Sequence, residues 1–198
     1  MDAKRISFAL MMGALGTALF AVSFYAGPIA PGVAFDFSLI AAFIAGFYGG
    51  PTVGFISGLF VGILPGIMFG PLGMGGVLGL VGLPFGKALS GLTAGLIAKG
   101  LKFGQKPRSS LLGIPSTLLA YVPESIFTYA YFVFLLGIEA GAATFFTFIL
   151  PKALVEVSIM SVIMAALLGN KGFSDFVRAH FTKIDNKENS SDGKQELL

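Results

Sequence analysis

Six long apolar stretches, separated by short connections, dominate this sequence. They cover residues 6–26, 33–48, 52–68, 77–98, 111–136 and 142–168. A transmembrane helix needs about 20 predominantly apolar residues, with a range of about 17–25. We therefore predict an all-α membrane protein with six transmembrane helices within residues 1–170, followed by a tail over residues 171–198. The second stretch is the shortest, and a re-entrant segment is the alternative there. Its one charge, Asp36, is expected in the first turn of the helix, where the helix dipole favours an anion, and it is a weak candidate for ligand contact near the outer side.

The basic residues fall on one side of the predicted membrane domain. Lys4 and Arg5 precede the first span, four basic residues lie between the fourth and fifth spans, and five follow the sixth. The predicted outer loops at 27–32, 66–76 and 137–141 contain no Lys or Arg. Because cytoplasmic loops carry the excess of Lys and Arg, we predict a multi-pass protein of the cell membrane with both termini in the cytoplasm.

Both ends of the chain allow a second interpretation. A cleaved signal peptide over residues 1–23 is possible in principle, but the apolar stretch is long for one and cleavage would leave five spans. In the tail, apolar residues recur at helical spacing over residues 174–183, which predicts a helix along the inner membrane surface. The alternative is a partly ordered polar end. Residues 185–195 are polar and low in aromatics, which predicts disorder.

Composition and motifs exclude several classes of function. Only 12% of the residues are charged, against about 25% in a soluble domain, and the net charge of +3 follows from membrane topology rather than from nucleic-acid binding. The chain has no cysteine, so it has no disulfide, thiol nucleophile or cysteine-ligated metal. The sequence over 81–88 departs twice from a phosphate-binding loop. We predict no enzymatic activity, no metal and no cofactor.

Four charged residues lie deep inside the last three spans. Lys87 is in the fourth, Glu124 in the fifth, and Lys152 and Glu156 are in the sixth. At 1.5 Å per residue, three helices place charge about 15–18 Å from their outer ends, in one layer near the bilayer centre. A charge at that depth is costly and by default marks a binding site or pathway. Two Lys and two Glu can neutralise each other, and Lys152 and Glu156 share a helix face.

Prolines lie close to these charges. Pro84 is one turn before Lys87, and Pro123 and Pro151 directly precede Glu124 and Lys152. A proline inside a helix removes a backbone hydrogen bond and kinks the helix, and the freed carbonyls are tolerated beside a cavity. We therefore predict a polar substrate pocket. Its predicted substrate-binding residues are Lys87, Tyr121, Glu124, Thr128, Lys152 and Glu156, with Tyr129 and Ser158 as weaker candidates. The alternative is a set of salt bridges that lock the bundle.

Small residues at four-residue spacing form smooth faces on the first and third spans. Ala14 and Ala18 share a face of the first span, and Gly54, Gly58 and Gly62 share a face of the third. Such faces allow helices to approach closely. Because neither span contains a charge, we predict that these faces dock on another membrane protein. Packing inside this protein is the alternative for each face.

Several of these features together resemble the substrate-binding S components of energy-coupling factor (ECF) transporters. The features are Lys4-Arg5 before an Ala14-x-x-x-Ala18 helix, the Gly/Pro-rich loop at 27–32, the segment Phe-Tyr-Gly-Gly-Pro at 47–51 and the glycine-dense third span. The resemblance implies capture of a vitamin or similar micronutrient from outside by spans four to six. It also implies docking through the first span on a transmembrane coupling protein that carries two cytoplasmic ATPases.

The paired Lys and Glu side chains suggest a ligand with both polar signs, or at least a carboxylate. Two other functions fit the same sequence. The first is a stand-alone secondary transporter or channel that uses the charged layer as a proton relay, although such folds usually contain two related halves and no internal repeat is evident. The second is a membrane scaffold that acts only through its glycine faces.

Overall fold

The computed structural model of the protein describes residues 3–26, 28–30, 33–73, 75–101, 103 and 109–182. Within these residues the fold is almost entirely helical. The elements are α1 Ala3–Tyr25, β1 Pro28–Ala30, β2 Val33–Ala34, α2 Leu39–Gly49, α3 Pro51–Phe69, α4 Gly76–Leu101, α5 Ser109–Leu136, α6 Ile138–Thr144, a π-helical turn Phe145–Ile149, α7 Leu150–Gly169 and α8 Lys171–Thr182. The strands β1 and β2 form one small antiparallel sheet between α1 and α2. The predicted disorder over 185–195 lies outside the described residues.

Five described helical segments are long and apolar enough to cross a membrane. They are Ala3–Tyr25, Pro51–Phe69, Gly76–Leu101, Ser110–Leu136 and the continuous segment Ile138–Gly169. Large apolar side chains on their outer faces are exposed, as expected for helices surrounded by lipid rather than water. The protein is therefore an all-helical, multi-pass membrane protein, as the sequence predicted.

The second predicted span differs from the structure at its start. The span was placed at 33–48, but helix α2 begins at Leu39, and Asp36 lies in the extended segment before it rather than in its first turn. The Asp36 carboxylate accepts a hydrogen bond from the Ser38 N–H at 2.9 Å and pairs with Lys87. These contacts keep Asp36 outside the helix at a point where apolar composition alone predicted helix.

The glycine face of α3 packs against α4. A Cβ on Gly54 would lie 2.1 Å from the carbonyl oxygen of Gly91, and the matching distances from Gly58 and Gly62 to α4 backbone atoms are 2.4 and 2.2 Å. Only glycine permits so close an approach of two backbones. Gly54, Gly58 and Gly62 are therefore covered within the chain, and the prediction that they dock on a second protein was wrong.

The sixth predicted span is interrupted just before Pro151. Helices α6 and α7 are joined by the π-helical turn, in which the Leu150 N–H donates to the carbonyl of Phe145. Pro151 has no N–H and its ring crowds the carbonyl four residues earlier, so the preceding turn widens. The predicted break near Lys152 is thus a π-bulge, a feature that often occurs at functional sites.

Helix α8 packs against the end of the bundle where α2 ends. The Tyr48 hydroxyl lies 2.9 Å from Ser174 Oγ, and the Tyr48 ring meets the ring of Phe173 edge to face. Val177 is buried, whereas Phe176 is 76% exposed. The helix begins earlier than the predicted 174–183 segment, and its inner face is fixed to the membrane domain.

Candidate functional site

A cavity of about 640 Å³ lies among α4, α5, the segment before α2, and the α6–α7 region. It contains every residue that the sequence predicted to bind substrate. They are Lys87, Tyr121, Glu124, Thr128, Lys152 and Glu156. Helices α4, α5 and α7 therefore bring the polar side chains of these six residues to one place, and the segment before α2 joins them there. This agrees with the single layer expected from helix geometry.

Lys87 is buried, and its ammonium group makes two hydrogen bonds to the segment before α2. Its Nζ donates to Asp36 Oδ2 at 2.7 Å and to Ser38 Oγ at 2.9 Å, and the residue is only 4% exposed. A charge withdrawn from water is tolerated when it is paired and hydrogen-bonded. The extended segment before α2 is therefore fastened to the middle of α4.

Lys152 and Glu156 form the second pair. Lys152 Nζ lies 3.2 Å from Glu156 Oε1, across one turn of α7. The same Glu156 oxygen accepts a hydrogen bond from the backbone N–H of Asp36. The Lys152 side chain is 20% exposed, which makes it the more accessible of the two ammonium groups. The two ion pairs are thus joined through Asp36 into one network.

Glu124 differs from the other charged residues. Its Oε2 accepts a hydrogen bond from Ser90 Oγ at 2.6 Å, and the residue is 9% exposed. Within the part of the chain that the structure describes, Glu124 makes no ion pair. A buried carboxylate thus borders the cavity with a hydroxyl group as its bonded partner.

Aromatic rings form much of the remaining wall. Phe127 and Phe132 of α5 and Phe148 of the π-helical turn line the cavity, as does Tyr131. The lining continues to Gly75, in the connection between α3 and α4. The cavity thus has a charged end at the level of Lys87 and an aromatic, largely apolar end towards the α3–α4 connection. This division fits an organic solute with distinct polar and apolar parts.

Sequence reasoning missed Ser90 and named Asp36 only as a weak candidate near the outer side. Asp36 was assigned to a helix start, although a charge inside a predicted span was itself a signal of function. Ser90 lies one turn after Lys87, and nothing in its sequence context distinguished it. Of the weaker candidates, Tyr129 packs against Phe145 instead of lining the cavity, and Ser158 is exposed on α7.

Comparison with known proteins adds no assignment to this geometry. No family model matches the chain, and no curated protein and no solved structure is significantly similar to it.

Proposed function

We propose that the protein is the membrane-embedded, substrate-binding subunit of an ECF-type importer, which captures a vitamin or similar micronutrient from outside the cell. The cavity is the observation that carries the proposal. Its volume of about 640 Å³ falls within the range of about 300–1,000 Å³ that is usual for small-molecule sites. Its polar groups converge at one end, and its aromatic groups surround the other.

The proposal requires six crossings, and the sixth is α2 together with the extended segment before it. The helix spans about 17 Å at 1.5 Å per residue, and the non-helical segment at 33–38 supplies the rest of the roughly 30 Å hydrocarbon core. Residues 41–47 are all buried, and in the preceding segment residues 35–37 are half-buried and Ser38 is buried, so neighbouring helices shield much of this crossing from lipid. Non-helical backbone at membrane depth is tolerated under that condition.

Three contacts support the placement of both termini on the cytoplasmic side. Helix α8 packs against α1 and against Tyr48 at the end of α2, and the ring of Phe103, just after α4, packs at a tilt against the ring of Phe47. These contacts gather the basic ends of the chain at one end of the bundle. The cavity reaches Gly75 on the α3–α4 connection, a loop region without basic residues. Solute therefore enters from the outside under the positive-inside rule.

The first span remains available for a partner. Ala14 and Ala18 are both exposed on α1, whereas Gly13 and Gly16 of the same helix face Phe60 and Val61 of α3. An exposed pair of small residues four apart permits close helix packing. In the proposed assembly this face of α1 contacts a transmembrane coupling protein, which in turn carries two ATPases.

Enlarging this α1 face should weaken the assembly without unfolding the protein. We expect Ala14→Leu combined with Ala18→Leu to reduce co-purification of a membrane protein and two ATPases about tenfold, a loss of about 1.4 kcal/mol. The thermal midpoint of the isolated subunit should not change. Val81→Leu is the control, because Val81 is 64% exposed on α4, away from the α1 face, and is already large. If no ATPase accompanies the wild-type protein, the ECF-type assembly is refuted.

The chain contains no tryptophan, so a single introduced tryptophan reports binding directly. We expect a pool of water-soluble vitamins to quench or shift the emission of Phe127→Trp, because Phe127 lines the cavity. Phe176→Trp is the control, since Phe176 is exposed on α8 and should not respond. Native mass spectrometry of the purified protein identifies the retained solute. A retained solute that leaves the Phe127→Trp emission unchanged would place the binding site elsewhere.

A further inference from the structure

The charges around the cavity do not balance. Among the described lining residues, Asp36, Glu124 and Glu156 supply three carboxyl groups, whereas Lys87 and Lys152 supply two ammonium groups. Each ammonium group is already within ion-pair distance of one carboxylate, Lys87 of Asp36 at 2.7 Å and Lys152 of Glu156 at 3.2 Å. With all five groups ionised, these described residues carry one more negative than positive charge, and Glu124 is the carboxylate among them that has no ammonium group within ion-pair distance.

This arrangement disfavours an anionic ligand. A ligand carboxylate that displaced Asp36 from Lys87, or Glu156 from Lys152, would leave a buried carboxylate without its cation. Breaking a buried pair in that way is strongly unfavourable. Each Lys side chain that suggested a ligand carboxylate thus already has a carboxylate partner within the protein, Asp36 for Lys87 and Glu156 for Lys152.

Glu124 lines the cavity beside Gly86 of the opposing helix α4. A Cβ on Gly86 would meet Glu124 Cγ and Phe127 Cδ1, both at 3.5 Å. Glu124 and Phe127 therefore lie side by side on α5, one turn apart, and both face a stretch of α4 that has no side chain at position 86. A cation that reaches Glu124 there also lies beside the Phe127 ring, and a cation near an aromatic face is further stabilised.

We propose that the solute carries a cationic nitrogen, such as an ammonium, an amidinium or a protonated ring nitrogen, which binds the Glu124 carboxylate while its apolar body lies against the aromatic wall. The proposal rests on the proposed function, because it assumes that the cavity binds a solute. The cationic-ligand proposal restricts the solute from any micronutrient to one that carries a positive charge. On binding, the solute supplies the third positive charge that the cavity lacks.

The test uses three probes that share one aromatic ring and differ in charge: benzylammonium, benzyl alcohol and benzoate. Their binding to the purified full-length protein is measured by saturation-transfer NMR and by competition with one another. We expect benzylammonium to bind best to the wild-type protein. In Glu124→Gln the ratio of benzylammonium to benzyl alcohol affinity should fall about tenfold or more, because a hydrogen bond to a charged partner is lost. Retained binding of benzyl alcohol shows that the variant still forms the cavity.

The remaining outcomes separate this proposal from the proposed function. Preference of the wild-type protein for benzoate or benzyl alcohol overturns the cationic ligand but leaves a solute-binding cavity. An unchanged affinity ratio in Glu124→Gln also overturns it, because the cation would then bind elsewhere. Failure of all three probes to bind the wild-type protein overturns both proposals together.

Discussion

Replacement of Lys87 with methionine should lower the free energy of unfolding by about 3–5 kcal/mol, the usual loss when one partner of a buried ion pair is removed. Methionine keeps the length of the side chain, so the change removes charge more than volume. The Asp36 carboxylate would then remain buried without its cation, and Ser38 Oγ would lose its ammonium donor. Reversible unfolding in mixed detergent micelles, followed by far-UV circular dichroism, measures the loss.

Two further variants decide whether the pair causes this effect. Lys99→Met makes the same substitution in the same helix at an exposed position, and it should change the free energy of unfolding by less than about 0.5 kcal/mol. Lys87→Met combined with Asp36→Asn removes both charges, and it should recover much of the stability because no buried charge is left unpaired. The loss of stability in the double variant is compared with the sum of the losses in Lys87→Met and in Asp36→Asn measured separately. If the two values are equal, the Lys87–Asp36 interaction does not stabilise the fold.

The contrast between Lys87 and Asp36 shows what the sequence can and cannot reveal about this site. The depth of Lys87 along its span follows from counting residues, because a helix rises by a fixed 1.5 Å per residue. Its partner does not follow, because Asp36 is 51 residues away and lies in an extended segment whose position depends on tertiary contacts. Sequence reasoning therefore grouped Lys87, Glu124, Lys152 and Glu156, which do line one cavity, but misjudged the balance of charge there.

The same limit applies to the glycine faces. Spacing of four residues predicts that Gly54, Gly58 and Gly62 share a helix face, and the structure agrees. Spacing does not say which helix covers that face. Only the approach of Gly91 on α4 shows that the partner is internal. Ala14 and Ala18 have the same kind of spacing, and they remain exposed, so one pattern has two outcomes in one protein.

The contact between α3 and α4 should be the most sensitive packing site in the chain. A Cβ on Gly91 would lie 2.1 Å from the carbonyl oxygen of Gly54, and the next nearest atoms are also backbone. No side-chain rotation relieves that clash, so the two helices must separate. We expect Gly91→Ala to lower the free energy of unfolding by about 3 kcal/mol, at the upper end of the range for overpacking, as measured by the same micelle unfolding assay.

Gly100→Ala is the matched control for this prediction, and its effect should have the opposite sign. Gly100 lies in the same helix, and nothing lies within 4 Å of a Cβ placed on it. Alanine there removes conformational freedom from the unfolded chain at no steric cost, which stabilises a helix by about 0.5–1 kcal/mol. If the two substitutions change the free energy of unfolding equally, then helix propensity, and not the close contact with α3, determines how these positions of α4 affect stability.

The α3–α4 contact also determines whether the cavity forms, because Gly58 faces the carbonyl of Lys87 itself. Separation of the two helices by the Gly91→Ala methyl group would move Lys87 away from Asp36 and disturb both ends of the charge network. Binding of the benzylammonium probe should therefore weaken in Gly91→Ala and persist in Gly100→Ala. If Gly91→Ala binds the probe as well as the wild-type protein does, then the charged end of the cavity is positioned by α5 and α7 and not by the glycine contact.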